Sequence, residues 1–84
     1  MLHYLVEYEP LGSDRLQSHE ERRPSYRSAC DRACKLSCDE DIQYACVIAY
    51  ELVPDDCGPG TLENRVGSVG YFHGVRDIPE GRIN

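Results

Sequence analysis

Five cysteines stand in the chain, and the first three, Cys30, Cys34 and Cys38, recur every fourth residue ahead of Cys46 and Cys57. On a helix, two thiolates four residues apart can share one metal ion. Three cannot. Cys30 and Cys38 would lie roughly 12 Å apart along a helix axis, whereas two sulfurs on one zinc are at most about 4.6 Å apart, each bond being about 2.3 Å. A metal site would need two helix cysteines together with Cys46, Cys57 or one of His3, His19 and His73, and no CxxC knuckle is present. Cysteine also serves as a small buried hydrophobe, so the expectation is that Cys30, Cys34 and Cys38 pack like Ala33 between a helix and a sheet and bind nothing. A small metal- or redox-responsive domain using these thiols is the alternative.

Catalytic patterns find little support. The three histidines fall in separate segments, and no local Cys/His signature accompanies them. Gly67-Ser68-Val69-Gly70 lies inside a strand-like run, where a nucleophile elbow needs a strand-to-helix turn. Gly58-Pro59-Gly60 lacks the lysine and following helix of a phosphate loop. The chain is read as a non-enzyme that needs no cofactor.

Acidic and aromatic residues carry the stronger signal. Asp39-Glu40-Asp41 follows the expected end of a helix, where the negative pole of the helix dipole disfavours carboxylates. A cluster that breaks a local rule points to function, although Asp is also at home in solvated turns. Asp55-Asp56 forms a second cluster in a turn. The expectation is that all five acids share one edge that meets a basic partner. Tyr71 and Phe72 are adjacent on a strand, so they point to opposite faces. Tyr71 is taken with Asp39, Glu40, Asp41, Asp55 and Asp56 as the partner-binding set, tyrosine being a favoured interface residue.

The elements that position these residues are an ordered series. Residues 2–9 alternate as a strand, ended by Pro10 and Gly12. A polar stretch, 11–24, reads as a long loop, mobile or ordered only by a partner. From Ser25 to about Cys38 the pattern is helical, with Ser25 or Ser28 as N-cap. Tyr26, Cys30, Ala33, Cys34, Ser37 and Cys38 share one side, and Leu36 sits at its margin. Residues 43–53 form an apolar strand suited to the centre of a sheet. The turn Pro54–Gly60 leads to a glycine-interrupted strand over 65–75, whose glycines signal bulges or a close backbone approach. Residues 77–84 are a terminal extension that adds a short edge strand or stays loose. The order is β-α-β-β: a single α+β domain, 1–84, with one helix packed on a small, mainly antiparallel sheet.

Bulk properties narrow the function. At 84 residues the chain buries about 60–65% of its unfolded surface, enough for one thin core. Fifteen Asp and Glu against nine Lys and Arg give a net charge of −6, which disfavours direct nucleic-acid binding and favours a basic partner surface. The first residues lack a signal-peptide pattern and no run is long enough to span a membrane, so the expected location is the cytoplasm.

The strand 2–9, the small-residue helix beginning Ser25-Tyr26-Arg27-Ser28-Ala29-Cys30-Asp31-Arg32-Ala33, the strand 44–53 and the run Val69-Gly70-Tyr71-Phe72 together resemble small phage-encoded inhibitors of bacterial immunity, especially anti-CRISPR proteins directed against type I surveillance complexes. The resemblance is one of size and architecture over most of the chain. It implies a non-enzymatic inhibitor in the bacterial host cytoplasm that occupies the basic groove where a surveillance complex binds DNA. Asp39, Glu40, Asp41, Asp55 and Asp56 would then be contributors.

Overall fold

The structure, a computed structural model, describes residues 1–12 and 18–83. The elements in chain order are β1 (His3–Pro10), β2 (His19–Arg23), α1 (Tyr26–Ser37), β3 (Ile42–Pro54), β4 (Thr61–Phe72), β5 (Val75–Arg76) and β6 (Glu80–Gly81). They build a six-stranded antiparallel sheet in the order β2-β1-β3-β4-β5, with β6 also pairing β4. The α+β architecture expected from sequence is observed, and β3 is the central strand.

The helix begins where its cap chemistry dictates. Ser25 is extended and accepts a hydrogen bond from the Ser28 backbone N–H at 3.1 Å, satisfying a donor the helix itself cannot. Ser28 has a different role, its hydroxyl accepting two bonds from Arg23 at 3.0 and 2.7 Å. The buried stripe is Ala29, Ala33, Leu36 and Ser37. Leu36, expected at the margin, is part of the core, because the wheel is rotated toward Ala29 and away from Cys30. Cys30 and Cys34 are half-buried and pack against that core, as expected. Cys38 does not. It is the C-cap and is exposed, its sulfur lying at the turn after β4 where a Cβ on Gly74 would strike it.

The helix covers one face of the sheet only. Val6 on β1, Ala45, Val47 and Ala49 on β3, and Val69 and Tyr71 on β4 join the helix stripe in the main core. Small residues on both sides let helix and sheet approach closely, as the sequence suggested. The opposite face carries a second, helix-free cluster of Leu5, Cys46, Ile48 and Tyr50. Its shelter comes from long side chains: His3 stacks on Tyr50 with ring centroids 5.4 Å apart. Arg22 lies 5.9 Å from the centre of the Tyr50 ring and donates to its hydroxyl at 2.6 Å.

Two expectations are revised. The segment 11–24 contains β2, which pairs with β1 from Tyr4↔Arg23 to Tyr8↔His19. Its sequence, His-Glu-Glu-Arg-Arg, has no apolar period because it lies at the sheet edge, outside the core, where charge also discourages strand-to-strand aggregation. The expected mobility of this stretch falls partly on residues 13–17, which lie outside the described residues. The last long strand starts at Thr61, earlier than expected, and ends at Phe72. His73, with φ 52°, and Gly74, with φ 80°, then turn the chain into β5.

The glycines of β4 act as the sequence indicated. The pairing shifts register between Ala49 and Tyr50, leaving Val66 as the bulged residue between Gly67 and Arg65. A Cβ on Gly67 would collide with the Arg82 backbone, which must pass there for β6 to pair with β4. This docking carries Ile83 into the main core, so the extension is anchored as an edge strand.

Candidate functional site

The acidic set divides in two. Asp39, Glu40 and Asp41 occupy the turn before β3, and Asp55 and Asp56 the turn after it. A 13-residue strand separates them, on the order of 40 Å at about 3.3 Å per residue. They therefore lie at opposite ends of the sheet, and the single five-carboxylate edge does not form. The cause is topological: one turn enters the longest strand and the other leaves it. Asp39 and Asp55 also hold their own turns, their carboxylates accepting from the Asp41 and Cys57 backbone N–H groups, each at 2.9 Å. Glu40, Asp41 and Asp56 are exposed.

Tyr71 does not reach the surface. It is 5% exposed and points into the helix-covered core. Burial, reinforced by a hydrogen bond with the Cys30 side chain, raises its phenol above the ordinary range. Its neighbour Phe72 takes the outward position, at 45% exposure.

Register places Phe72 in a row. Glu9 on β1 pairs with Tyr44 on β3, Tyr44 with Phe72 on β4, and Phe72 with Val75 on β5. All four share the helix-free face, and Tyr44, Phe72 and Val75 are 45, 45 and 69% exposed. The Tyr44 ring lies over Gly70, where a Cβ would strike it. A side-chain-free position beside the aromatic thus lets the ring lie down on the sheet. Phe72 meets His73 edge to face, centroids 4.5 Å apart. Tyr44, Phe72, His73, Val75, Arg76 and Asp77 line a cleft of about 460 Å³.

The row sits at the end of the sheet that bears the first acidic turn. Leu11 donates its backbone N–H to the Asp41 carbonyl at 2.7 Å, tying the end of β1 to that turn. The helix C-terminus closes the same end: the Gly74 N–H donates to Ser37 Oγ at 2.9 Å, and the Cys34 thiol reaches the Gly74 carbonyl at 3.6 Å. The result is an exposed aromatic row that begins beside Glu9 and lies at the end of the sheet where the Glu40–Asp41 turn sits. Burial is also the first cause that raises the Tyr44 phenol, followed by the charges of Cys46 and Asp77. At neutral pH the ring is therefore a neutral, amphipathic contact.

Among the described residues, no group of three or more His, Cys, Asp and Glu is placed to hold a metal ion. Cys46, under the open face, has its thiol pushed up to about 11, by burial first and by Glu7 next. A thiol so disfavoured as thiolate is a poor nucleophile and a poor metal ligand. No helix among the described residues is long and apolar enough to cross a membrane.

No family model, curated protein or solved structure matches the chain. The site consequently rests on geometry alone. From the sequence, the first acidic turn was named and, on β4, Tyr71 was chosen where Phe72 is the exposed residue, while Tyr44 and Val75 were not named. Tyr44 was visible as the first aromatic of β3, yet only the β3–β4 register shows that it lies beside Phe72.

Proposed function

We propose that this protein is a non-enzymatic inhibitor that binds another protein through the Tyr44–Phe72–Val75 row and its acidic surround. The observation that carries the reading is the position of exposed aromatic and apolar side chains, beside a cleft, at the acidic end of a sheet face that no helix covers. Aromatic side chains in well-packed pockets supply most of the affinity of protein interfaces, and surrounding charges set encounter rate and partner choice. Glu9, Glu40 and Asp41 complement lysines and arginines. The fitting partner is a protein with a basic surface, of the kind that binds nucleic acid.

Within that class we take the target to be a type I CRISPR surveillance complex, with the inhibitor occupying the surface that target DNA would use. The support is the architectural resemblance together with the charge of the site. Asp55 and Asp56, at the far end of β3, are outside this interface. The test is DNA binding by purified type I surveillance complexes titrated with the protein. Loss of target-DNA binding, restored by the combined substitutions Tyr44→Ala and Phe72→Ala, is the expected result. DNA binding that is unaffected at saturating protein contradicts the choice of target.

A further inference from the structure

The basic residues are not spread evenly over this acidic chain. A groove of about 980 Å³ between β2 and α1 is lined by Arg22, Arg23, Arg27, Arg32 and Lys35. The Arg22 guanidinium turns to Tyr50 on the helix-free face, and the other four are four of the nine Lys and Arg in the sequence, gathered with only Glu21 and Asp31 of its fifteen Asp and Glu. The groove is thus locally positive by two charges, while the rest of the sequence, with five cations and thirteen carboxylates, is strongly negative.

Part of this surface is held in place. Glu21 receives Arg32 through two parallel bonds at 2.9 and 3.0 Å, which fix the guanidinium plane and leave further N–H donors free. Arg23 is held by Ser28 at 3.0 and 2.7 Å. Asp31 lies one helical turn from both Arg27 and Lys35, yet neither has an ion-pair partner among the described residues. Two positioned guanidiniums therefore flank two unengaged cations. The first turn of α1, the positive end of its dipole, contributes Ser25 and Ser28 to the same lining.

We propose that this groove is a second binding site, which takes a short extended acidic peptide segment of a partner protein. Its length selects the ligand. From Ser25 to Lys35 the helix runs about 15 Å, at 1.5 Å per residue. That matches four to five residues of extended chain at about 3.3 Å each and exceeds a single phosphate. β2 is the outermost strand of the sheet, so an extended segment lies along the strand with its carboxylates directed at the helix cations. A long nucleic acid is disfavoured because the duplex or strand beyond the groove meets the negative remainder of the surface.

The test is fluorescence anisotropy of a labelled hexaglutamate peptide with the full chain, at 50 and 300 mM NaCl, beside a labelled twelve-nucleotide oligothymidylate. The proposal expects saturable binding of the peptide, weakened at the higher salt, with the oligonucleotide at least tenfold weaker. Arg27→Glu combined with Lys35→Glu should reduce peptide affinity at least tenfold, and the milder Arg27→Gln with Lys35→Gln should reduce it less, with unchanged circular dichroism in both. Arg65→Glu, on β4 and outside the groove, should leave peptide affinity as it is. Absence of peptide binding, equal binding by the doubly reversed variant, equal loss in Arg65→Glu, or preference for the oligonucleotide would each overturn it.

Discussion

Tyr44 and Phe72 face one another across the β3–β4 pairing, each 45% exposed, while Tyr71, one residue from Phe72, is 5% exposed. Two adjacent aromatics therefore have opposite duties. Tyr71 holds the helix to the sheet, and Phe72 is available to a partner.

Substitution should separate these duties. Tyr71→Ala removes a large side chain from a core made mostly of Val and Ala, and should cost about 3–5 kcal/mol of stability. Phe72→Ala should change stability by no more than about 0.5 kcal/mol, as for ordinary surface positions. Urea unfolding of both variants reads the difference. Equal losses would mean that Phe72 belongs to the core.

The C-terminal segment should depend on Gly67. A side chain there meets the Arg82 backbone, so Gly67→Ala must displace β6 and with it Ile83. The expected cost is about 1–3 kcal/mol, typical of overpacking. Amide exchange should show faster exchange at Arg82, whose N–H donates to the Val66 carbonyl at 2.9 Å. Unchanged protection of that amide would rule the mechanism out.

Ser25 should matter to the helix in proportion to its cap. Ser25→Ala loses the bond to the Ser28 N–H and should destabilise the protein by about 0.5–2 kcal/mol, while Ser25→Asp should retain most of the stability. Thermal or urea denaturation of the pair checks this. A Ser25→Ala variant as stable as the parent would shift the cap elsewhere.

Alkaline stability should depend on Cys46. Its folded-state pKa is raised to about 11 from an ordinary value near 9. The unfolded chain therefore releases the proton first as pH rises. The stability contributed by the protonated thiol is complete below about pH 9 and is lost between about pH 9 and 11. Tyr26, Tyr44 and Tyr71, also raised, act in the same direction. Urea midpoints of the parent and Cys46→Ala at pH 7.5 and 10.5 test this: the parent should lose more stability than the variant between the two. Parallel losses would remove Cys46 as a cause.

Much of the scaffold was legible because its signals are local. The apolar alternation of β3 marks a strand buried on both faces, and Ser25 marks a helix start through its own side chain. β2 was not legible, since five charged or polar residues show no period and become a strand only by pairing with β1. Leu36 was misplaced because Ala29, Cys30, Ala33, Cys34 and Ser37 form a broad small-residue side of α1, which leaves the exact rotation of the helix to the sheet beneath it. The site was less visible still. Which of Tyr71 and Phe72 faces outward depends on their register against β3, and the separation of Asp39–Asp41 from Asp55–Asp56 depends on how far β3 runs. Both are long-range facts that composition and spacing do not contain. The two acidic turns were recognisable as turns, and Asp39 and Asp55 do serve them.

On the proposed function, the Tyr44–Phe72 row at the acidic end of the open face engages a basic protein surface. The most direct measurement is the affinity for a purified type I surveillance complex at 50 and 300 mM NaCl. It should compare the parent, Tyr44→Ala with Phe72→Ala, Glu40→Lys with Asp41→Lys, and Asp55→Lys with Asp56→Lys. Loss of the aromatic pair should cost about 2 kcal/mol or more at both salt concentrations. Reversal of Glu40 and Asp41 should weaken binding chiefly at low salt, and reversal of Asp55 and Asp56 should have little effect. Binding that survives loss of both aromatics, or that depends on Asp55 and Asp56 instead, would contradict it.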